Sequence, residues 1–108
     1  MRLEETEHFD TEGFSGDVYV PNEAQKGFTA LRVVVHGKHP LKRMIDTTRT
    51  YFVIKGSGTF TLNGTSQEVK AGDLYIVEPG SQYEYEGEME LFEVNISPEN
   101  SFKDERLG

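Results

Sequence analysis

Short runs of β-branched and aromatic residues recur along the chain, and glycine, proline or asparagine bounds each run. This alternation of apolar runs with turn-forming residues is typical of an all-β protein. No part of the chain places apolar side chains convincingly at the 3.6-residue period of an amphipathic helix. The pattern predicts eight strands, near residues 17–20, 28–36, 50–55, 58–63, 66–69, 73–78, 82–86 and 89–96.

Glycine-containing turns are predicted to connect these strands. The Asn-Gly pair at 63–64 suits a two-residue hairpin turn, because both residues tolerate positive φ angles. The Pro-Gly pair at 79–80 suits the centre of a type II turn. The glycines at 56–58 and Gly87 predict two further reversals. Residues 37–49 form the longest stretch without a strand pattern, and we expect a long loop there at a barrel mouth.

Eight short strands with hairpin links predict a jelly roll or small barrel, an architecture that hides most sheet edges. The 108 residues suit one domain with a core large enough to fold alone. We expect the barrel core over about 28–96, after an N-terminal segment over 1–16. Residues 97–108 are predicted to form a polar C-terminal tail that is an arm, a short helix or disordered.

The charge balance narrows the range of partners. The chain has 19 acidic and 11 basic residues and a net charge of −8. We therefore expect no nucleic-acid partner, because affinity for polyanions depends on lysine and arginine. No apolar run is long enough to span a bilayer, the first residues lack the apolar core of a secretion signal, and cysteine is absent. These features predict a cytoplasmic protein without a membrane partner.

Two segments resemble the sequence signatures of the cupin superfamily. Residues 72–83 (Gly-Asp-Leu-Tyr-Ile-Val-Glu-Pro-Gly-Ser-Gln-Tyr) resemble the second signature, and residues 50–58 resemble the end of the first. The resemblance covers about residues 30–96 and is to small single-domain cupins of the cupin 2 conserved-barrel type. It implies a cupin-type double-stranded β-helix. Cupins commonly pair through strands, so it also implies a homodimer, with outward-facing Phe52 and Ile54 as candidate contacts.

The resemblance also implies that the usual metal ligands are replaced. Metal-dependent cupins carry two histidines and a glutamate in the first signature and a histidine in the second. Those positions here hold Arg43, Ile45, Arg49 and Tyr83. Arginine is a permanent cation without a lone pair and isoleucine has no donor atom, so we expect no metal cofactor. The alternative is a site rebuilt from His36, His39 and a carboxylate.

Strand alternation predicts what lines the barrel instead. If Arg49 points inward, Tyr51 and Val53 share its face, and Tyr83 and Tyr85 likewise point together. The predicted ligand-binding residues are Arg43, Arg49, Tyr51, Tyr83 and Tyr85.

The last strand offers two faces. We expect the apolar face, with Phe92, Val94 and Ile96, to fill the core between the two sheets. Glu93 and Asn95 then become candidates for the pocket.

Arginine and tyrosine together suit a small polar or anionic ligand, such as a sugar or a sugar phosphate. The first hypothesis is a metal-free enzyme resembling the sugar isomerases and epimerases of this superfamily. His36, Tyr83 and Glu93 are its candidate acid and base groups. The alternatives are a non-catalytic binding or sensor protein, a dimeric scaffold, and a metal-dependent enzyme with a rebuilt site.

Overall fold

The computed structural model describes all of residues 1–108, and strands dominate it. Its only helices are single 3-10 turns at Leu3–Glu5 and Asn22–Ala24. Neither of these short turns could span a lipid bilayer. The strands are β1 (Glu7–Thr11), β2 (Phe14–Val20), β3 (Phe28–Met44), β4 (Thr48–Leu62), β5 (Thr65–Lys70), β6 (Leu74–Val77), β7 (Gln82–Ile96) and β8 (Asp104–Arg106). The all-β prediction is confirmed.

The strands pair antiparallel in the order β1-β2-β3-β7-β4-β5. Two short strands lie off this path, β6 against β4 and β8 against β3. The long strand β7 lies in the centre, because it pairs with β3 on one side and with β4 on the other. Tyr51 of β4 lies opposite Glu93, and His39 of β3 lies opposite Tyr85. Pairing with β7 thus places residues of β3 and of β4 in the same barrel interior.

The three long strands bend sharply, which closes the sheet around its core. Tyr51 and Phe60 both belong to β4, yet their ring centroids are only 5.3 Å apart. A straight strand would separate positions nine residues apart by about 30 Å. Glycines permit the bend, since Gly37, Gly87 and Gly58 face one another across β3, β7 and β4. A side chain on Gly87 would lie 2.5 Å from the carbonyl oxygen of Ser57.

Because the long strands bend without ending, three features of the predicted strand pattern are wrong. The glycines at 56–58 and Gly87 are bends inside β4 and β7, not reversals between separate strands. Residues 37–49 are not a long loop, because β3 continues to Met44 and β4 begins at Thr48. Glycine allows a strand to bend as readily as it allows a chain to turn, so the sequence pattern alone does not separate the two cases.

Two predicted turns are confirmed. Asn63 and Gly64 have φ angles of 48° and 85°, as a two-residue hairpin turn between β4 and β5 requires. At the Pro-Gly turn, the backbone N–H of Ser81 donates to the carbonyl oxygen of Glu78 at 3.1 Å, and Gly80 has a φ of 88°. These values suit a type II turn.

The two ends of the chain are more ordered than the sequence pattern suggests. Residues 1–16 include β1 and the first residues of β2, which extend the sheet beyond β3. Within the tail, β8 pairs with Lys42, Arg43 and Met44 at the end of β3. The polar C-terminal segment is therefore an arm that returns to the barrel as a short strand.

Candidate functional site

Because side chains alternate along a strand, several polar side chains point to the interior of the barrel, next to its apolar core. On β4, Arg49 and Tyr51 share the inward face with Val53. On β7, Glu93 and Asn95 point to the same interior as Leu91. These residues face inward, as strand alternation along the sequence predicts.

The sequence predicts that the other face of β7 fills a core between two sheets, and this prediction is wrong. Phe92 and Val94 are only partly buried, and Ile96 is exposed. The core lies on the inner face and includes tyrosines, so the apolar outward set is left on the surface.

Arg49 is at the centre of the interior polar network. Its Nε donates to Asn95 Oδ1 at 2.5 Å, and its Nη1 donates to the Tyr83 hydroxyl at 2.7 Å. Glu93 Oε2 lies 3.5 Å from Nε. The side chain is only 13% exposed, and burial alone would lower its pKa, but the facing carboxylate of Glu93 raises the pKa well above its usual value. Arg49 is therefore a fixed, buried cation.

Asn95 continues the network away from Arg49. Its Nδ2 donates to the Thr29 hydroxyl at 3.0 Å and to Glu93 Oε2 at 2.8 Å. The buried carboxylate of Glu93 is thus held by an amide on its own strand and faced by a guanidinium on β4. A buried charge needs such partners, because it has lost its hydration.

Three tyrosines line the same interior and keep their protons. The hydroxyls of Tyr51 and Tyr83 are 2.8 Å apart. Burial raises the pKa of Tyr83 to about 12, and burial together with the charge of Glu93 raises the pKa values of Tyr51 and Tyr85 well above their usual range. The Tyr85 hydroxyl is buried without a hydrogen-bond partner. This hydroxyl can therefore donate a hydrogen bond to a group in the interior.

His39 lies beside these tyrosines. It is 2% exposed, and its ring stacks on Tyr85 and Tyr83 with centroids 4.5 and 5.2 Å apart. Its Nδ1 is buried without a hydrogen-bond partner. Burial lowers the pKa of His39 to about 3, and the positive charges of Lys42 and Arg49 contribute. His39 is therefore neutral at ordinary pH, with one ring nitrogen free for a ligand.

Two of the predicted site residues lie outside this cluster. His36 is exposed on the outer face of β3, opposite Glu88, and so does not share a face with His39. Arg43 is 40% exposed and forms an ion pair with Glu105 at 2.9 Å on the outside of the barrel. Arg49, Tyr51, Tyr83, Tyr85 and Glu93 are the predicted site residues that the structure brings together.

A bulge in β3 explains the displacement of Arg43. The register of β3 against β7 shifts between His39 and Lys42, and Pro40 lies in this interval. Lys42 consequently takes the inner register position opposite Tyr83, and Arg43 turns outward. A proline inside a strand is a known sign of a bulge, and it was the signal in the sequence that could have identified Lys42.

The C-terminal arm adds one more group. Asp104 Oδ2 lies 3.2 Å from Arg49 Nη2 and 3.6 Å from Lys42 Nζ. Nothing in the sequence near position 104 indicates this contact, which depends on the pairing of β8 with β3.

A protein-family model described as a cupin domain matches residues 31–95, which is more than half of the chain. The chain belongs to the cupin family. Its sequence resemblance to small cupins and the expected cupin barrel are thereby confirmed. No curated protein matches this cupin significantly.

Solved structures similar to this cupin include an enzyme. A Streptomyces PAC13 variant, in which glutamine replaces a histidine, was solved with uridine; it is 27% identical, with a TM-score of 0.86 over 99% of this chain and 88% of that one. Another Pac13 structure, of a protein called a nucleoside dehydratase, is 28% identical, with a TM-score of 0.85 over 98% and 88% of the two chains. Ectoine synthase from P. lautus shares the fold at 16% identity, with a TM-score of 0.81 over 100% and 88%.

The donor set of this cupin does not fit the divalent metal that many cupins hold. The structure brings together no group of three histidine or carboxylate side chains. The cation Arg49 lies within the cluster, hydrogen-bonded to Tyr83, and the cupin signatures predict metal ligands at both positions. Tyr83 could bind a metal only as phenolate, and its raised pKa opposes ionisation.

Proposed function

We propose that this cupin binds a nucleoside or a similar sugar-bearing molecule in its barrel and eliminates water from it, with His39 as the base. One observation carries the proposal. His39 is a buried, neutral imidazole with an unpaired Nδ1, and it stacks on a tyrosine whose hydroxyl is also unpaired. Buried polar atoms are normally paired, so two adjacent unpaired ones indicate a place where a ligand supplies the partners.

The spacing of residues in PAC13 supports the same group. Three PAC13 structures with uridine carry single substitutions, one of a histidine and two of tyrosines. Those tyrosines are 34 positions apart, as Tyr51 and Tyr85 are here. The histidine precedes the first tyrosine by 13 positions, and His39 precedes Tyr51 by 12. The exposed His36 lies further from this spacing and on the wrong face of β3.

The proposed reaction uses His39 as a shuttle for one proton. Nδ1 accepts a proton from a sugar carbon that is acidified by a neighbouring carbonyl group, and negative charge develops on that carbonyl oxygen. The Tyr85 hydroxyl donates a hydrogen bond to this charge. The carbon–oxygen bond of the leaving hydroxyl then breaks as a carbon–carbon double bond forms. His39 returns its proton to the hydroxyl, which leaves as water, and the imidazole is neutral again.

Replacing His39 tests the proposal. Wild type should bind uridine by calorimetry, and it should release water from a nucleoside that carries the activating carbonyl, as followed by proton NMR. His39→Gln should retain uridine binding within about tenfold and lose at least about a hundredfold in rate, the usual contribution of a general base. His36→Gln is the matched control and should behave as wild type, because His36 is exposed on the other face of β3.

Three results would contradict parts of the proposal. A wild type that does not bind uridine would remove the nucleoside. Uridine binding without turnover would favour the non-catalytic binding protein. Exchange of a sugar proton for deuterium in heavy water, without loss of water, would return the reaction to the isomerase or epimerase class, which needs the same base but no leaving group.

An apolar outer face supports a second proposal, a homodimer. Six side chains on the outward side of β3, β4, β6 and β7 are 41–61% exposed: Phe28, Phe52, Ile54, Leu74, Ile76 and Ile96. The strand register places Leu74 and Phe92 on either side of Phe52, so the surface is continuous. It measures on the order of 500 Å², the upper range for monomeric proteins.

A second copy is the occupant that fits this face. An apolar sheet face is complementary to itself under two-fold symmetry, and Arg32 at its edge is already paired with Asp17 and Glu90. A stable interface needs about 800 Å² per partner, so the rim of the face would also have to take part.

Sedimentation velocity tests the homodimer. Wild type should sediment as a dimer and Phe52→Glu as a monomer. Leu3→Glu, at an exposed apolar residue in the 3-10 turn that contacts β2, should leave the dimer intact. A monomeric wild type at high micromolar concentration would contradict the proposal.

A further inference from the structure

The C-terminal arm supplies a carboxylate to the site from outside the barrel. β8 pairs with the end of β3, and this places two neighbouring acidic residues on opposite sides of the arm. Asp104 points in towards Arg49 and Lys42, and Glu105 points out to Arg43. Asp104 is 26% exposed, so it lies at the boundary between the interior network and solvent.

Backbone and side-chain contacts hold the arm in this position. The carboxylate of Asp46, between β3 and β4, accepts hydrogen bonds from the Lys103 backbone N–H at 2.9 Å and from the Ser101 hydroxyl. Beyond β8, the backbone N–H of Leu107 donates to the carbonyl oxygen of Leu41 at 2.8 Å. None of these contacts involves the Asp104 side chain. Its carboxylate is therefore placed by the arm, and a change there need not release the arm.

Both cations that face the interior network are paired when the arm is in place. They are Arg49 and Lys42, and the anions that face them are Glu93 and Asp104. Arg106 of the arm is a further cation near His39, and its Nε donates to the carbonyl oxygen of Gly108 at 2.6 Å. His39 adds no charge, because it is neutral. A phosphate or carboxylate on a ligand would find both cations already paired, and it would approach the carboxylate of Asp104. Like charges a few ångströms apart in a partly buried site repel strongly.

We propose that Asp104 is a specificity-determining residue that makes the site select an uncharged ligand and reject its phosphorylated or carboxylated counterpart. The inference rests on the proposed nucleoside site and narrows it from polar or anionic ligands to neutral ones. Asp104 takes the position beside Arg49 and Lys42 that a ligand anion would otherwise take. A neutral nucleoside leaves these ion pairs intact.

Titration calorimetry with uridine and uridine 5′-monophosphate tests the inference on three proteins. Wild type should bind uridine at least about tenfold more tightly than the monophosphate. Asp104→Asn keeps the size of the side chain and removes its charge, so the affinity for the monophosphate relative to that for uridine should rise at least about tenfold. Glu105→Gln is the matched control, since it removes one negative charge from the outer side of the same strand and should leave the preference unchanged.

The outcomes separate this inference from the function on which it rests. If wild type binds the monophosphate as tightly as uridine, or if Asp104→Asn leaves the ratio unchanged, the inference is wrong and the nucleoside site stands. If neither compound binds wild type, the nucleoside site is wrong. Inorganic phosphate then tests the charge argument alone. It should raise the melting temperature of Asp104→Asn and not that of wild type, and equal responses of the two proteins would overturn the inference. Asp104→Ser is the second variant should the asparagine disturb folding.

Discussion

Replacing Arg49 by methionine should destabilise the protein by about 3–5 kcal/mol, because it leaves a buried carboxylate without its partner. The side chains of Arg49 and Glu93 are 13% and 10% exposed. Arg49 also donates to Asn95 at 2.5 Å and to Tyr83 at 2.7 Å. Methionine preserves most of the side-chain length but supplies no N–H donor. For a domain of this size, 1 kcal/mol corresponds to about 4–8 °C, so the loss lowers Tm by at least about 12 °C.

Guanidinium chloride unfolding at pH 7 measures this loss. The double variant Arg49→Met/Glu93→Gln should recover at least half of it, because the neutral amide removes the uncompensated charge. Arg43→Met is the control, because it makes the same chemical change in an exposed ion pair with Glu105, where the effect should stay below about 1 kcal/mol. An Arg49→Met loss no larger than that of Arg43→Met would refute the view that the buried network stabilises the barrel.

Two further predictions concern the unpaired groups. The pKa of His39 is lowered to about 3 in the folded protein, so the unfolded chain binds a proton first and stability falls as pH decreases from 6.5 towards 3. His39→Phe should therefore reduce the stability lost between pH 7 and pH 5 by about 2 kcal/mol in denaturant titrations, and an unchanged loss would contradict the buried neutral imidazole. Tyr85→Phe should change stability by less than about 0.5 kcal/mol, because its hydroxyl has no partner. Tyr83→Phe should cost about 1–3 kcal/mol, because it leaves Arg49 and Tyr51 with lost partners; equal effects of the two substitutions would contradict this difference.

The sequence predicted the fold wherever a local pattern has one structural meaning. The Asn-Gly pair at 63–64 forms the expected hairpin turn, and Arg49 and Tyr51 share the inward face that strand alternation requires. Gly87 shows the limit of such patterns. It pairs with Gly58 inside a bent sheet, and a side chain on it would lie 2.7 Å from the Gly58 Cα atom. Only the pairing partner distinguishes this bend from a turn.

The place of three residues of the candidate site, His39, Lys42 and Asp104, could not be predicted, because it depends on a bulge and on contacts between distant strands. Counting positions along β3 assumes an unbroken alternation, and the bulge at Pro40 exchanges the expected Arg43 for Lys42. The sequence indicates His39 only as a possible metal ligand, because its burial depends on contacts with Tyr83 and Tyr85 of another strand. The contact of Asp104 with Arg49 is the hardest to predict, since 55 positions separate the two residues and only the pairing of β8 brings them together.

Arginine at position 49 also accounts for the role of the C-terminal arm. The strand delivers the side chain at this position to the interior whatever its type, so an arginine here places a permanent positive charge inside the barrel. Glu93 balances one buried cation, but Lys42 places a second cation beside Asp104. Asp104 lies within 4 Å of both, so Lys42 has a carboxylate partner only with the arm in place. The arm is therefore a component of the binding site, and the charge of the ligand that the barrel accepts should depend on it.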